Sequence, residues 1–339
     1  MGDANCRASG RVQKPEDLWR PLSVALARVV KEGSGVTQPQ QLGPPPQRRL
    51  VEAAHARALV RDQFPQWGHL PVEPVPNGGW DNCTFRLGQT MVLRLPSAAE
   101  YAEAVEKEHR WLPILAQHVP LPIPVPLAKG SPTDDFPHPW SVYPWLEGRP
   151  ASADLIADHR TFARDLAVFL TDLQEIETAG GPPPGIHNWF RGGALRTFDS
   201  TARRALDGLK GLIDVDRAER QWEDSLNTPS ASVDRWFHGD VAAGNLLVDD
   251  AGQLSAIIDF ETCGVGDPAC DLAVAWTLLS DEGRQVFFDA LETEDTTWNR
   301  GRGWALWKAL ATARSAMDDP RAADEFEQAR RTLDTILDG

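Results

Sequence analysis

The sequence predicts an α+β fold in which a strand-rich N-terminal lobe precedes a mainly helical C-terminal lobe. Three short runs with strand character, Val72–Val75, Thr84–Leu87 and Met91–Leu95, lie before Pro150. After it, apolar residues recur mainly at helical spacing, with one interruption at 236–265 that holds two further short strands. Such a change of architecture leaves a cleft where the lobes meet, and ligands prefer clefts of this kind. We therefore expect the functional site at this junction.

The chain divides into three parts. Residues 1–48 carry helical apolar spacing over 16–31 and then the proline-rich run QPQQLGPPPQ. This pattern predicts an N-terminal extension and linker that take no part in catalysis. The first lobe is predicted over 49–147 and the second over 148–339.

The elements within each lobe follow from the local apolar patterns. The first lobe begins with a helix over 48–64, continues with the three strands and has a long helix over 98–118. After the proline-broken segment LPIPVPLAKG, the apolar and aromatic run WSVYPW predicts another strand. The second lobe is predicted to contain the strands LLVD and LSAIID, and helices at 155–176, 194–212, 216–226, 267–280, 282–292, 301–317 and 320–337.

The composition excludes several classes of function. Among the 339 residues, 49 acids face 34 bases, and the resulting net charge of −15 opposes binding to nucleic acid or an anionic membrane. No apolar stretch approaches the ~20 residues of a membrane span. The four cysteines form no C-x-x-C pair that would indicate zinc or dithiol chemistry. We expect a cytoplasmic protein with neither a nucleic-acid nor a membrane partner.

The segment WFHGDVAAGNLLVDDAGQLSAIIDFETCGVGDPACDLA carries the chemistry. Asn245 directly precedes its first strand and Asp259 closes the second, while the turn is centred near Gly252. An antiparallel hairpin with arms of equal length returns both ends to one edge, so these two side chains should converge. Asp240 lies shortly before Asn245 across a small-residue loop. Carboxylate and amide oxygens of this kind suit Mg²⁺, which completes its coordination with water and substrate phosphates.

The spacing H-G-D-x4-N, then I-I-D, then G-D-P-x-x-D-L-A resembles the aminoglycoside phosphotransferase family, which is similar in turn to protein kinases. The resemblance covers about residues 50–320 and implies a protein-kinase-like bilobal fold with ATP or GTP as phosphoryl donor. It implies that Asp240 is the catalytic base that orients the acceptor hydroxyl. It further implies that Asn245 and Asp259 hold Mg²⁺ at the nucleotide phosphates.

The resemblance also assigns nucleotide-binding residues to the first lobe. Gly78 and Gly79 would let backbone amides approach the phosphates closely. Arg94 stands where the family commonly has a phosphate-pairing Lys, and a guanidinium can also grip phosphate. Glu108 is the acid expected to pair with this cation, and the alternative is Glu106 on a different helix face.

The run SVYPWLEG would connect the lobes, and by resemblance its backbone would bind the edge of the purine. Tyr143 and Trp145 are candidates to sandwich the ring, although an aromatic-rich connection could equally be core packing. Beside the site, we predict that His238 braces the catalytic loop, that Asp267 caps the next helix and that Asp271 is a scaffold residue. Glu261 is either a solvated surface residue or a support for the metal site.

These features predict a kinase of a small molecule, with an aminoglycoside-type antibiotic as the leading acceptor. The alternatives are a kinase of another hydroxylated metabolite or a macrolide, and a non-catalytic nucleotide-binding pseudokinase. The acidic segment 281–298 could attract a cationic acceptor, or it is simply the solvated face of a helix.

Overall fold

The computed structural model describes residues 46–76, 79, 81–231 and 233–338, and it confirms the predicted α+β class. The predicted helix at 16–31 and most of the proline-rich linker lie outside these residues. No helix in the described ranges is long and apolar enough to cross a lipid bilayer.

The first lobe contains, within the described residues, a five-stranded antiparallel sheet in the order β1-β2-β3-β5-β4. Its strands are β1 Val72–Pro74, β2 Asn82–Leu87, β3 Met91–Pro96, β4 Ala128–Gly130 and β5 Trp140–Pro144. The sequence did not predict β4, because three residues of a proline-broken segment carry no strand pattern. It pairs with β5 all the same, with Lys129 opposite Ser141.

The alternation of β3 separates the core of this lobe from its functional face. Leu93 and Leu95 are fully buried beside Leu59 and Val60 of helix α1, Ala53–Gln63. Successive side chains of a strand point to opposite faces of its sheet. Arg94 therefore leaves the sheet on the face opposite this core.

Helix α2, Ala99–Leu115, follows β3 and joins the two lobes. Trp111, Leu112 and Leu115 near its C-terminus belong to the large core of the second lobe rather than to the core under the sheet. The helix thus carries the acid at position 108 between the sheet and the second lobe.

The second lobe is mainly helical, as predicted, but some elements differ from the expected ones. The predicted helix at 267–280 is a 3-10 segment, Pro268–Ala273, followed by a single α-helical turn. Helix α8 begins at Asp295 rather than 301, because its first turns are polar and carry no apolar periodicity. The elements, in chain order, are β6 Arg149–Pro150, α3 His159–Glu175, α4 Asp199–Gly208, α5 Val215–Asn227, β7 Arg235–Phe237, β8 Leu246–Val248, β9 Leu254–Ile257, β10 Gly264–Gly266, α6 Val274–Thr277, α7 Asp281–Leu291, α8 Asp295–Ala316 and α9 Ala323–Asp338.

The connection between the lobes is fastened to the β8–β9 hairpin. Strand β6 pairs with β8, with Arg149 opposite Val248, and the Ala151 amide donates to the Leu246 carbonyl at 2.7 Å. Strands β7 and β10 form a separate antiparallel pair, with Phe237 opposite Gly264. The segment 238–245 therefore runs between two anchored strands.

Candidate active site

The β8–β9 hairpin brings Asn245 and Asp259 to the same end, as its equal arms predict. Leu246 lies opposite Ile257, and the Ile258 amide donates to the Asn245 carbonyl at 2.9 Å. Asp259 follows directly, in the left-handed region at φ 69°. This conformation is uncommon for a non-glycine residue.

Both carboxylate oxygens of Asp240 are engaged. Lys308 Nζ donates to Oδ1 at 2.9 Å, and Asn245 Nδ2 donates to Oδ2 at 3.2 Å and to the Asp240 carbonyl at 2.9 Å. Burial opposes ionisation of this carboxyl, but the cations of Lys308 and Arg191 outweigh that effect and lower its pKa to about 2. The side chain is still 29% exposed. Asp240 is therefore an ionised, anchored carboxylate that a ligand can reach.

The loop before Asp240 is braced as predicted. Asp271 accepts the backbone N–H groups of His238 and Gly239, both at 2.7 Å. The Asp240 amide donates to His238 Nδ1 at 3.2 Å, so the ring proton lies on Nε2 and is donated to the Ile258 carbonyl at 3.0 Å. The scaffold roles predicted for His238 and Asp271 are thus confirmed.

The cap predicted at the following segment is also present. Asp267 accepts the Ala269 amide at 3.1 Å at the start of the 3-10 segment. Its carboxylate also pairs with Arg300 of α8 through two contacts, at 2.6 and 3.2 Å. Helix α8 is thereby fixed against the segment that carries Asp271.

Arg94 connects the sheet to the second lobe by pairing with three carboxylates. Its Nη2 contacts Asp259 Oδ1 at 2.5 Å and Glu261 Oε2 at 3.3 Å, while Nη1 lies 3.5 Å from Glu108 Oε1. Glu106 instead pairs with Lys129 at the surface. Of the two acids considered, Glu108 is therefore the one beside Arg94.

Glu261 belongs to this cluster and is not a solvated surface residue. It is 8% exposed, and Asn82 Nδ2 donates to its Oε2 at 3.3 Å. Burial, followed by the negative charges of Asp81 and Asp259, raises the pKa of Glu261 well above its usual range. Since Glu261 also contacts Arg94, it supports the group that holds Asp259.

The connection residues have different environments. Tyr143 is 1% exposed and its hydroxyl donates to Glu108 Oε2, so it supports the Arg94 cluster from inside the protein. This placement does not support the expectation that its ring lines a purine site. Trp145 is half-buried, its amide donates to the Thr90 carbonyl at 2.8 Å, and the Arg86 guanidinium lies 3.7 Å from its ring centroid.

The glycine pair is only partly described. Gly78 lies outside the described residues, and Gly79 is exposed. A Cβ built on Gly79 would meet no described atom within 4 Å. Packing among the described residues therefore does not require glycine at position 79, and the space beside it is open to a ligand.

Sequence reasoning missed the cations around Asp240. Lys308 is a lone Lys in the apolar run WALWKALA of α8, and this interruption of a buried helix was the available signal. Arg191 is 4% exposed and lies over the Trp307 ring, at 4.7 Å from its centroid. Its Nε and Nη1 are buried without a hydrogen-bond acceptor among the described residues.

The donor set at the hairpin end fits a magnesium ion that is completed by phosphate. Within the described ranges, no three His, Cys, Asp or Glu side chains are grouped to hold a metal by themselves. Asn245 uses its amide nitrogen for Asp240, which leaves its side-chain oxygen as a ligand atom. Together with a carboxylate oxygen of Asp259, it offers the few hard ligands that Mg²⁺ takes from protein at nucleotide sites.

The chain is similar in fold to solved antibiotic phosphotransferases. The GDP and kanamycin complex of APH(2")-IIia matches with a TM-score of 0.66 and 19% identity, covering 83% of this chain and 98% of that one. Macrolide 2'-phosphotransferase type I matches with a TM-score of 0.56 and 20% identity, covering 84% of this chain and 98% of that one. Both likenesses establish the kinase-like fold.

Two sequence comparisons address the family. Viomycin phosphotransferase of Streptomyces vinaceus is 27% identical over 172 residues, which cover 47% of this chain and only 57% of that protein's length. The model of the family described as "Phosphotransferase enzyme family" matches residues 72–310. This range runs from β1 into α8 and includes both the Arg94 cluster and the Asp240 loop. Because the match extends over most of both lobes, the chain belongs to the phosphotransferase enzyme family.

Proposed function

We propose that this protein transfers the γ-phosphoryl group of ATP or GTP to a hydroxyl group of a small molecule. The observation that carries the proposal is the Asp240 carboxylate, which is ionised, anchored at both oxygens and 29% exposed. A base that orients an acceptor hydroxyl needs this combination of charge, fixed position and access. Asp240 would align the hydroxyl with the phosphorus atom and accept its proton as the new P–O bond forms.

The remaining residues would position the donor. Asn245 and Asp259 would hold Mg²⁺, which when bound neutralises charge on the nucleotide phosphates. Arg94 would serve the phosphates in place of the usual Lys, fixed in position by Glu108. Gly79 and Trp145 are proposed to border the phosphates and the purine, so that residues 49–147 form the nucleotide-binding lobe and 148–339 the catalytic and acceptor-binding lobe.

An aminoglycoside-type antibiotic is the proposed acceptor class. Support comes from the fold shared with a protein solved with GDP and kanamycin, and from the acidic segment 281–298, which would favour a cationic acceptor. The sequence similarity to a viomycin phosphotransferase and the fold similarity to a macrolide phosphotransferase make viomycin and macrolides the next acceptors to test. The pseudokinase alternative is disfavoured because Asp240, Asn245 and Asp259 are all present.

The test is a coupled assay of ADP or GDP release with Mg²⁺, using aminoglycosides, viomycin, macrolides and sugar-like metabolites as acceptors. We expect one acceptor class to stimulate release and Asp240→Ala to lower kcat by roughly 10²–10⁴-fold, the range for a positioned base. Asp249→Ala, in the β8–β9 turn, is the matched control. Tight nucleotide binding without turnover for any acceptor would instead identify a pseudokinase.

A further inference from the structure

Lys308 is a buried cation on helix α8 whose recorded ion-pair partner is Asp240. The residue is 5% exposed and lies in the apolar run between Trp307 and Ala309. A buried ammonium is costly unless it is paired, because it loses its hydration. Its Nζ contacts Asp240 Oδ1 at 2.9 Å, with a sequence separation of 68 residues.

The contact fixes the Asp240 carboxylate from a second side. Asn245 belongs to the same loop as Asp240 and holds Oδ2 at 3.2 Å, whereas Lys308 holds Oδ1 from a different element. Two donors on different oxygens restrict rotation of the carboxylate about its Cβ–Cγ bond. A carboxylate has about four acceptor positions, so a substrate hydroxyl can still approach while both donors remain bound.

Helix α8 is itself placed firmly enough to act as a reference. Arg300 on this helix forms the two-contact pair with Asp267 and also donates to the Pro229 carbonyl at 2.6 Å. Lys308 lies further along the same helix, at a rise of about 12 Å from Arg300. The position of its ammonium is therefore set by a contact that does not involve Asp240.

We propose that Lys308 is a positioning residue for phosphoryl transfer, which orients the Asp240 carboxylate toward the acceptor hydroxyl. The inference rests on the proposed function. The competing interpretation is that the ion pair only stabilises the packing of α8. A positioning role predicts that loss of the ammonium changes the orientation of Asp240 and lowers kcat, whereas a packing role predicts a change in stability alone.

The first experiment is independent of activity and compares crystal structures of the parent and Lys308→Met. Met keeps the aliphatic bulk in the apolar run and removes the charge. We expect α8 to stay in place while the Asp240 carboxylate rotates away from Asn245 Nδ2. An Asp240 carboxylate that keeps its parent position in this variant overturns the proposal, whether or not the protein proves to be a kinase.

The second experiment measures kcat and the nucleotide KM by ADP or GDP release, with water and with the best acceptor of the panel. We expect Lys308→Met to lower kcat by about 10–100-fold, the scale of a misplaced catalytic group, with KM changed less than about 2-fold. Lys308→Arg should restore most of kcat. In the Asp240→Asn background, Lys308→Met should have almost no further effect, because the two residues act as a unit.

The matched control is Arg302→Met on the same helix. Arg302 Nε donates to the Ile336 carbonyl at 2.8 Å, so its loss disturbs α8 without touching Asp240. We expect this variant to lose stability and keep kcat. Equal kcat losses in both Met variants, or an undiminished kcat in Lys308→Met, would show that the ion pair is a packing device and overturn the proposal.

Discussion

Replacing Arg94 by Lys and by Met tests the guanidinium cluster that joins the two lobes. The two nitrogens Nη1 and Nη2 serve different partners, with Glu108 on one side and Asp259 and Glu261 on the other. A Lys ammonium keeps the charge but is a single nitrogen, so it can reach only one side. Met keeps the aliphatic length and leaves all three carboxylates without this cation.

The expected losses follow from burial and distance. The side chains of Glu108 and Glu261 are only 4% and 9% exposed, so Arg94→Met leaves buried charge unpaired, at a cost of about 3–5 kcal/mol in the free energy of unfolding. Arg94→Lys gives up one charge-assisted contact, or about 1.5–3 kcal/mol. Lys129→Met, which breaks an exposed pair with Glu106 in the same lobe, should cost at most about 1 kcal/mol.

The assay is urea denaturation followed by tryptophan fluorescence, for which the chain offers 13 Trp residues. The expected order of the free energies of unfolding is parent and Lys129→Met highest, then Arg94→Lys, then Arg94→Met. If Arg94→Met were no less stable than Lys129→Met, the three contacts of the guanidinium would contribute nothing net. If Arg94→Lys matched the parent, the division of its two nitrogens between separate partners would be irrelevant.

Three further expectations concern other parts of the molecule. Gly79→Ala should leave the denaturation midpoint unchanged but raise the nucleotide KM, whereas Gly239→Ala should destabilise the protein by at least about 1–3 kcal/mol, because φ there is +89° and a Cβ would lie 2.7 Å from a backbone oxygen. Cys263 and Cys270 should resist alkylation in native protein at pH 8 and react after denaturation, as followed by peptide mass spectrometry, because burial raises the pKa of Cys263 to about 11 and that of Cys270 well above its usual range; at pH 8 the thiolate fraction of Cys263 is then on the order of 10⁻³. If the acidic segment 281–298 steers a cationic acceptor, kcat/KM for that acceptor should fall steeply as the Debye length shrinks from about 10 Å at 0.1 M salt to about 3 Å at 1 M; a flat response would make it plain surface.

The parts of the site that sequence reasoning could reach are those set by local geometry. The convergence of Asn245 and Asp259 follows from the period and arm lengths of one hairpin. The choice of Glu108 over Glu106 follows from the face of one helix. In both cases the deciding interactions lie within a single element or between neighbours in the chain.

The missed parts depend on contacts between distant segments. Lys308 reaches Asp240 only because α8 packs beside the catalytic loop, and no local pattern encodes that placement. Arg191 follows Trp189 and Phe190, which both lie at positive φ, and propensity does not predict such a turn for aromatic residues. Tyr143 shows the reverse error, because an aromatic residue in the inter-lobe connection is consistent with either a ligand site or a core, and burial decided for the core.

The two site carboxylates are held by cations of different origin, and this has a mechanistic consequence. Asp259 is paired with Arg94 from the sheet of the first lobe, whereas Asp240 is paired with Lys308 from a helix of its own lobe. A magnesium–nucleotide complex bound at Asp259 would compete for the same carboxylate oxygens as Arg94, and would therefore change a contact that connects the lobes. The Asp240 pair lies within one lobe and need not change when the nucleotide binds. We therefore expect Arg94 variants to alter nucleotide affinity and inter-lobe stability together, and Lys308 variants to alter the transfer step while nucleotide affinity is kept.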